Sequence, residues 1–164
     1  AGQLKMFAVA VIGFTQAIGI HGSHDAPTFV GCTFVNNEKY CLLIDLPGAG
    51  GVRGITFTGC YLADQFGVGC IHFKAGLVEG FKVSGCEIGY QEIGIYVEDT
   101  FGTLEGMVVD GCFIQGGLEG ATSLGVMRPG ANSSDTLFIN NKTQNAGTRG
   151  TGPYAAKAVT VVTA

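Results

Sequence analysis

Six cysteines are the residues of this chain best suited to chemistry, and four of them recur at nearly constant spacing. Each of the four follows a glycine, and they are Cys32, Cys60, Cys86 and Cys112. Cysteine thiols can form disulfides, bind metals or act as nucleophiles. The steps of 28, 26 and 26 residues provide no CxxC spacing, so a zinc site is not expected.

The segments around these cysteines show how they would be positioned. In 55–62, for example, apolar residues alternate with polar ones up to Gly59, and the alternation changes phase after it. This pattern predicts two short strands joined at a corner, where a residue without a Cβ lets the chain turn. A further apolar strand follows each corner, so every coil holds at least two strands. In the degenerate last copy, at 137–141, the same phase predicts that Ile139 points inward and that Asn140 points outward with Asp110. A repeat of this length indicates a coil that stacks upon itself.

The predicted fold is an all-β, single-stranded parallel β-helix of about five to six coils. Its expected sense is right-handed, as in nearly all crossovers between parallel strands. Equivalent cysteines on adjacent coils would lie roughly 5 Å apart with parallel side chains, a geometry that strains a disulfide. We therefore expect Cys32, Cys60, Cys86 and Cys112 to form an internal ladder of reduced thiols that pack as small apolar groups. A disulfide or a reactive site is the alternative.

Composition supports a turn-dense β protein. The 164 residues include 28 glycines and no tryptophan, and 46% are hydrophobic. The net charge of −4 comes without basic clusters, which argues against nucleic-acid binding. The apolar segment 6–14 resembles the core of a secretion signal, but residues 13–20 continue the strand pattern, so we assign it to the first coil. No membrane insertion is expected.

The motifs at 54–60, 80–86 and 106–112 resemble repeats of the right-handed parallel β-helix superfamily, which contains pectate lyases and bacteriophage tailspikes. The resemblance covers roughly residues 7–143. It implies a β-helix domain at 1–143, and residues 144–164 would be a linker and a tail that caps the last coil or exchanges between subunits. Members include polysaccharide lyases, endoglycosidases, host-binding spikes and inert virion parts, and phage spikes are commonly homotrimers. The motifs specify a fold and not an activity.

Outward acidic residues are the candidates for a catalytic pair. Glycoside hydrolysis needs two carboxylates about 5 to 9.5 Å apart on one outward face. Asp110 and Glu87 stand in outward columns that contain no second acid. A pair of Glu98 with Asp110 or Glu87 is the alternative, but we predict no catalytic residues.

Charged residues of the second strands fall instead in one outward column of alternating sign. The members of this predicted charge ladder are Asp45, Lys74, Glu98 and Arg128. Alternation gives each charge an opposite neighbour on the adjacent coils, and each exposed pair is worth a few tenths of a kcal/mol. We therefore interpret this ladder as structural.

The neighbouring outward positions are mostly apolar, which is unusual for a surface. They are Leu43, His72, Tyr96 and Val126, followed by Cys41, Cys70, Gly94 and Leu124. An apolar patch outside a β-helix needs a cover, either a turn of the same chain or another subunit. We expect the first four residues to form a homotrimer interface, with His72 as an interface residue and not a general base.

Two other groups could bind ligands. His21, His24 and Asp25 could hold a transition metal, but a polar turn is the simpler interpretation, so neither metal nor cofactor is expected. Tyr61 and Phe113 share an outward column and could stack on sugar rings.

The function expected from these features is that of a non-catalytic bacteriophage virion protein. It would be a trimeric spike, a fibre segment or a capsid-surface decoration, located on the particle surface and extracellular after release. Its partners would be other virion proteins and a host surface polysaccharide. The alternatives are a tailspike depolymerase, acting as a glycosidase or lyase, and a carbohydrate-binding adhesin.

Overall fold

The described part of the chain folds as a β-solenoid of about five turns, in which the strands of each sheet pair in parallel. The structure is a computed structural model that describes residues 3–22, 25–46, 48, 50–63, 69–117, 125–128, 131–144 and 159–162. The predicted all-β parallel architecture is confirmed. Its right-handed sense stays a prediction.

Four sheets run along the solenoid, and the chain visits them in the order A, B, C and D. Sheet A contains β1 (Lys5–Phe7), β4 (Thr28–Val30), β8 (Thr56–Thr58), β12 (Lys82–Ser84), β16 (Val108–Asp110), β20 (Thr136–Ile139) and β22 (Val159–Val162). Sheet B contains β2 (Ala10–Ile12), β5 (Thr33–Val35), β9 (Tyr61–Ala63), β13 (Glu87–Gly89), β17 (Phe113–Gln115) and β21 (Lys142–Gln144).

Sheet C contains β3 (Gln16–Ile20), β6 (Tyr40–Asp45), β10 (Gly69–Ala75), β14 (Ile93–Val97) and β18 (Gly125–Arg128). Sheet D contains β7 (Gly51–Arg53), β11 (Leu77–Glu79), β15 (Thr103–Glu105) and β19 (Ser133–Ser134). The sequence pattern predicted at least two strands per coil, and a complete turn contains four. We call each turn of the solenoid a rung.

The core fills the inside of the coil with one inward side chain at the centre of each short strand. In sheet A the register stacks Phe29, Phe57, Val83, Val109 and Phe138 in one column. The Phe29 and Phe57 rings stack with their centroids 4.5 Å apart. Adjacent rungs thus place apolar side chains over each other, which packs the interior along the axis.

The corner between sheets A and B repeats most regularly. One residue in the left-handed region, with φ between 52° and 61°, turns the chain on each rung, and these residues are Ala8, Gly31, Gly59, Gly85, Gly111 and Asn140. Glycine adopts this conformation without strain, and asparagine tolerates it better than most residues. The predicted role of the Gly-Cys glycines in turning the chain is confirmed by these angles.

The last copy of the repeat differs by one position from its predicted phase. Ile139 was expected to point inward and Asn140 outward with Asp110. The register pairs Phe138 with Val109 and Ile139 with Asp110, so Phe138 is the inward residue. Asn140 therefore occupies the corner, and Asn141 occupies the position that cysteine takes on earlier rungs.

The C-terminal segment adds one more strand to sheet A. Strand β22 pairs in parallel with β20, from Thr136 opposite Val159 to Ile139 opposite Val162. Residues 145–158, which include most of the predicted linker, lie outside the described part of the chain. Whether this tail caps the coil or exchanges between subunits stays a prediction.

Candidate functional site

The four repeating thiols form one buried column inside the A–B corner. Cys32, Cys60, Cys86 and Cys112 are at most 2% exposed, and all four are free thiols. Each side chain contacts an adjacent rung, as when Cys32 Sγ donates to the Met6 carbonyl oxygen at 3.5 Å. The backbone N–H of Cys60 donates to Cys86 Sγ at 3.3 Å. Asn141 ends the column, because its Oδ1 accepts from the Cys112 N–H at 2.8 Å.

The electrostatics of this column suit packing better than nucleophilic chemistry. Hydrogen bonding with Cys86, helped by burial, raises the pKa of Cys60 far above its usual range. A hydrogen bond with Cys112 raises the pKa of Cys86 to about 11. Cys112, which accepts the Cys86 hydrogen bond, has a lowered pKa, but it is 2% exposed. Reactive cysteines require an accessible thiolate, which this arrangement disfavours.

A second group of polar residues gathers on the outward face of sheet C, and we call it the His72 cluster. It comprises Tyr40, Asp45, His72, Lys74, Tyr96 and Glu98, which lie on three consecutive rungs. His72 Nε2 lies 3.0 Å from Glu98 Oε1, and the Tyr96 hydroxyl donates to Glu98 Oε2 at 3.1 Å. Lys74 Nζ donates to Asp45 Oδ2 at 2.6 Å. One carboxylate thus holds an imidazole and a phenol, beside a separate ion pair.

Burial sets the pKa of His72, whereas a hydrogen bond sets that of Lys74. The His72 side chain is only 5% exposed, and its burial lowers the pKa below the ordinary 6.5, although the Glu98 hydrogen bond acts in the opposite direction. The hydrogen bond to Asp45 raises the pKa of Lys74. At neutral pH the ring is therefore neutral and donates from Nε2 to the Glu98 carboxylate.

The structure brings together only part of the predicted charge ladder. Asp45 and Lys74 form an ion pair, but the register shifts between Phe73 and Ala75, where Lys74 lies. Glu98 bonds to His72 and Tyr96. Arg128 pairs with Tyr96 in the register, so its predicted position opposite Glu98 is wrong by two residues. Short strands tolerate such shifts when the turns between them differ in length.

The predicted interface strip is also revised. Leu43 and His72 point outward but are only 7% and 4% exposed within one chain, so most of their surface is already covered. Val126 was placed beside Tyr96, whereas the register puts Arg128 there. Cys41 and Cys70, expected at solvent positions, are fully buried. The trimer itself stays a prediction, with Tyr96 as the half-buried residue of the strip.

The register separates the three acids that were considered for catalysis. Glu98 lies on sheet C, Asp110 on sheet A between Ser84 and Ile139, and Glu87 on sheet B. The sequence signal missed another acidic site on sheet D, where Glu79 Oε2 lies 2.8 Å from Arg53 Nε. Glu105 is the register partner of Glu79 on the next rung. The sheet D strands that carry these acids are three residues long with a single inward side chain, so their apolar alternation is too short to identify them from sequence.

Sheet B presents the two aromatic residues expected to stack on sugars. The register places Glu87 directly between Tyr61 and Phe113 on successive rungs, and we call these three residues the aromatic face. Tyr61 is 41% exposed, and Phe113 is half-buried. Two rings separated by one acidic rung provide two apolar stacking surfaces and a hydrogen-bonding group between them.

The predicted metal alternative involved the loop after β3. Its Ser23 and His24 lie outside the described residues, and Asp25 forms an isolated parallel bridge with Arg53. Within the described ranges no group of three histidine, cysteine or acidic side chains is placed to hold a metal ion. Among the same residues, no helix has the length and apolar character to cross a bilayer.

No family model matches the sequence, and no curated protein or solved structure matches it. The geometry itself defines the class as that of parallel β-solenoids, here with a buried thiol column, the His72 cluster on sheet C and the aromatic face on sheet B.

Proposed function

We propose that the chain is a non-catalytic structural module of a bacteriophage virion, in the right-handed β-helix superfamily that contains the tailspikes. It would serve as a spike, a fibre segment or a capsid-surface decoration, on the outside of the particle. The observation that carries this proposal is the inner packing of the described residues, in which each rung of sheet A stacks an apolar side chain on that of the rung before it. Such packing makes a stiff rod, since interiors of this density transmit strain.

Two features of the outward faces support a structural role over a catalytic one. The Glu98 carboxylate accepts hydrogen bonds from His72 and Tyr96, and the Lys74 ammonium pairs with Asp45. Each of these groups thus has a partner within the chain, which accounts for its place on this face without a substrate. Asp110 belongs to sheet A, Glu87 belongs to sheet B and Glu98 follows β14 of sheet C, so no two of these acids face each other as register partners.

The proposed assembly is a homotrimer, and the half-buried Tyr96 surface of sheet C is where the subunits would meet. Native mass spectrometry and light scattering of the purified chain test this proposal, with three times the chain mass expected. Tyr96→Asp should yield smaller species, because it places a charge in the contact. The matched control is Tyr61→Asp, an exposed tyrosine on sheet B, which should leave the mass unchanged. A monomeric wild-type chain would contradict the trimer.

The location on the virion has a separate test. Antibodies raised against this chain should label intact phage particles from the source culture in electron microscopy. Labelling of cell envelopes without particles would contradict the virion proposal, whatever the oligomeric state.

A second candidate function, binding of a host surface polysaccharide, is favoured by the aromatic face. Replacing both Tyr61 and Phe113 with alanine should abolish retention on immobilised capsular or O-antigen polysaccharide. Leu77→Ala removes an equally exposed apolar side chain from sheet D and should not affect retention. Retention that survives the double substitution would contradict this site.

The depolymerase alternative is tested with the same polysaccharides. We expect neither new reducing ends nor the ultraviolet absorbance of an unsaturated sugar. Cleavage that disappears in Glu98→Gln, Asp110→Asn or Glu87→Gln would overturn the non-catalytic proposal and identify the acid involved.

A further inference from the structure

The side chain of His72 occupies an unusual position for a residue on the outward face of a sheet. Its ring lies between Tyr40 on the preceding rung and Tyr96 on the following one, with ring centroids 4.6 Å and 4.9 Å away. The His72 and Tyr96 rings are nearly parallel, at 25°. The imidazole is thus held in a slot between two aromatic rings, and its side chain is 5% exposed.

The two ring nitrogens of His72 have different surroundings. Nε2 is bonded to Glu98, whereas Nδ1 is buried and has no hydrogen-bond partner among the described residues. The neutral ring with its proton on Nε2 fits this slot, because Nδ1 then carries only a lone pair. Protonation would add an N–H at Nδ1 that faces no acceptor. A buried donor without a partner is among the more costly polar defects in a folded protein.

The charged groups around the ring do not remove this defect. Strand β6 contributes Tyr40 and Asp45, and Asp45 is bonded to Lys74 from β10. Tyr96 and Glu98 come from β14 and the residue after it, and both bond at the Nε2 side through the Glu98 carboxylate. Arg128 of β18 lies at the register position beside Tyr96. Of the described acids, Glu98 alone bonds the ring, and it does so at the nitrogen that already carries the proton.

We propose that His72 is an acid-sensitive latch: proton uptake at Nδ1 drives the imidazole out of the slot between Tyr40 and Tyr96. The outward face of sheet C then opens over three rungs, so that the imidazolium and the freed tyrosine rings become accessible. The inward columns of the same strands remain packed, since Ile71, Phe73 and Ile95 point into the core. Opening is therefore local to this face, and the solenoid stays folded.

The direction of the pH dependence follows from the environment of the ring. Burial lowers the pKa of His72 in the closed slot below 6.5, whereas the released ring titrates near that ordinary value. The closed state therefore binds fewer protons than the open state below about pH 6.5, and the open state gains population as the pH falls. The gain is about tenfold per pH unit until the pKa of the closed form is reached.

Nuclear magnetic resonance of the isotope-labelled full chain tests the latch between pH 7.5 and 4.5. We expect His72 to titrate below the ordinary imidazole pKa of 6.5, and its contacts with the Tyr40 and Tyr96 rings should disappear over the same transition. The open population read from these ring contacts should grow by about tenfold per pH unit until the pKa of the closed form is reached. Amides of β10 and β14 should keep their protection, because the strands stay paired and their inward columns stay packed. Protection of β8 and β12 in sheet A should not change. Substitution of His21 or His24 by glutamine assigns the resonances.

Three variants make the result decisive. His72→Gln should abolish the acid-induced change, and His21→Gln should leave it unchanged. Glu98→Gln should lower the midpoint of His72 further, because it removes the negative charge that stabilises the imidazolium. If His72→Gln does not fold, the titration midpoint of His72 in Glu98→Gln still tests the latch. His72 titration at or above the ordinary pKa of 6.5, or protonation with the tyrosine contacts intact, would overturn the latch.

Discussion

The A–B corner and the His72 cluster are built from the same coil but follow opposite rules. At the corner every rung repeats a left-handed residue, followed on four rungs by a buried thiol. In the His72 cluster each rung contributes a different side chain, and the register shifts within it. All rungs of the A–B corner share the same backbone turn and packing, whereas the His72 cluster depends on one particular combination of neighbouring side chains.

This difference separates what holds the coil together from what distinguishes one rung from another. Stacked like residues need only the common backbone spacing to pack well. The His72 cluster instead brings together a buried imidazole, two tyrosines, two acids and a lysine, which gain from each other only in this arrangement. Variation from a repeat is therefore the best place to look for function in such a fold.

The largest expected effect comes from breaking the inner repeat. Phe57→Ala should lower the free energy of unfolding by about 3–5 kcal/mol, because it removes a fully buried ring that stacks on Phe29. Tyr61→Ala, an outward position of the same rung, should change it by less than about 0.5 kcal/mol. Urea denaturation followed by circular dichroism measures both. Equal losses would mean that the inner column does not dominate stability.

The next effect concerns the end of the thiol column. Asn141 accepts from the Cys112 N–H at 2.8 Å and donates to the Val109 carbonyl oxygen at 2.9 Å. Asn141→Ala should cost about 1–3 kcal/mol, because it leaves these partly buried backbone groups unpaired. Asn141→Cys should cost less, since Cys86 Sγ accepts the corresponding Cys60 N–H. A cysteine variant no more stable than the alanine variant would contradict the equivalence of these positions.

The corner was predictable from sequence, because its signal repeats. The Gly-Cys steps, the alternation around them and the inward phenylalanines all follow from local patterns with a period of two. The last copy was misread by one residue, since Asn140 replaces the marking glycine and Phe138 and Ile139 are both apolar. A single apolar pair without its glycine leaves the phase undetermined.

The His72 cluster was not predictable in the same way. Its residues were recognised as outward, but the burial of His72 depends on rings from two other rungs. The position of Arg128 depends on the length of the turn before β18, which has no fixed period. Tyr40 was missed because it stands at the first position of its strand, where alternation carries least information. Contacts between side chains on rungs of different sequence produce no repeating sequence pattern from which they could be predicted.

A smaller effect tests the backbone of the corner. Ala8 adopts φ 52°, where a Cβ is strained, so Ala8→Gly should stabilise the chain by about 1 kcal/mol. Gly59→Ala should destabilise it by about the same amount, through backbone strain alone, since a Cβ there would meet no atom within 4 Å. Gly59→Asn should fall between, as Asn140 occupies this position on the last rung. Thermal denaturation of the three variants ranks them, and a destabilised Ala8→Gly would contradict the shared corner geometry.

The smallest effect is expected at the charged edge of the cluster. Lys74→Glu replaces the partner of Asp45 with a like charge and adds a third acid near Glu98, so the melting temperature should fall. The Lys74 side chain is 55% exposed, so the repulsion is screened, and the fall should shrink as salt is raised above physiological strength.

Lys82→Glu is the matched control, because it makes the same change in net charge between the uncharged register partners Thr56 and Val108. Lys82→Glu should have less effect at low salt and little salt dependence. Equal behaviour of the two variants would mean that net charge, and not the pairing with Asp45, determines what Lys74 contributes to stability. Asp45 and Lys74 would then not belong to the His72 cluster.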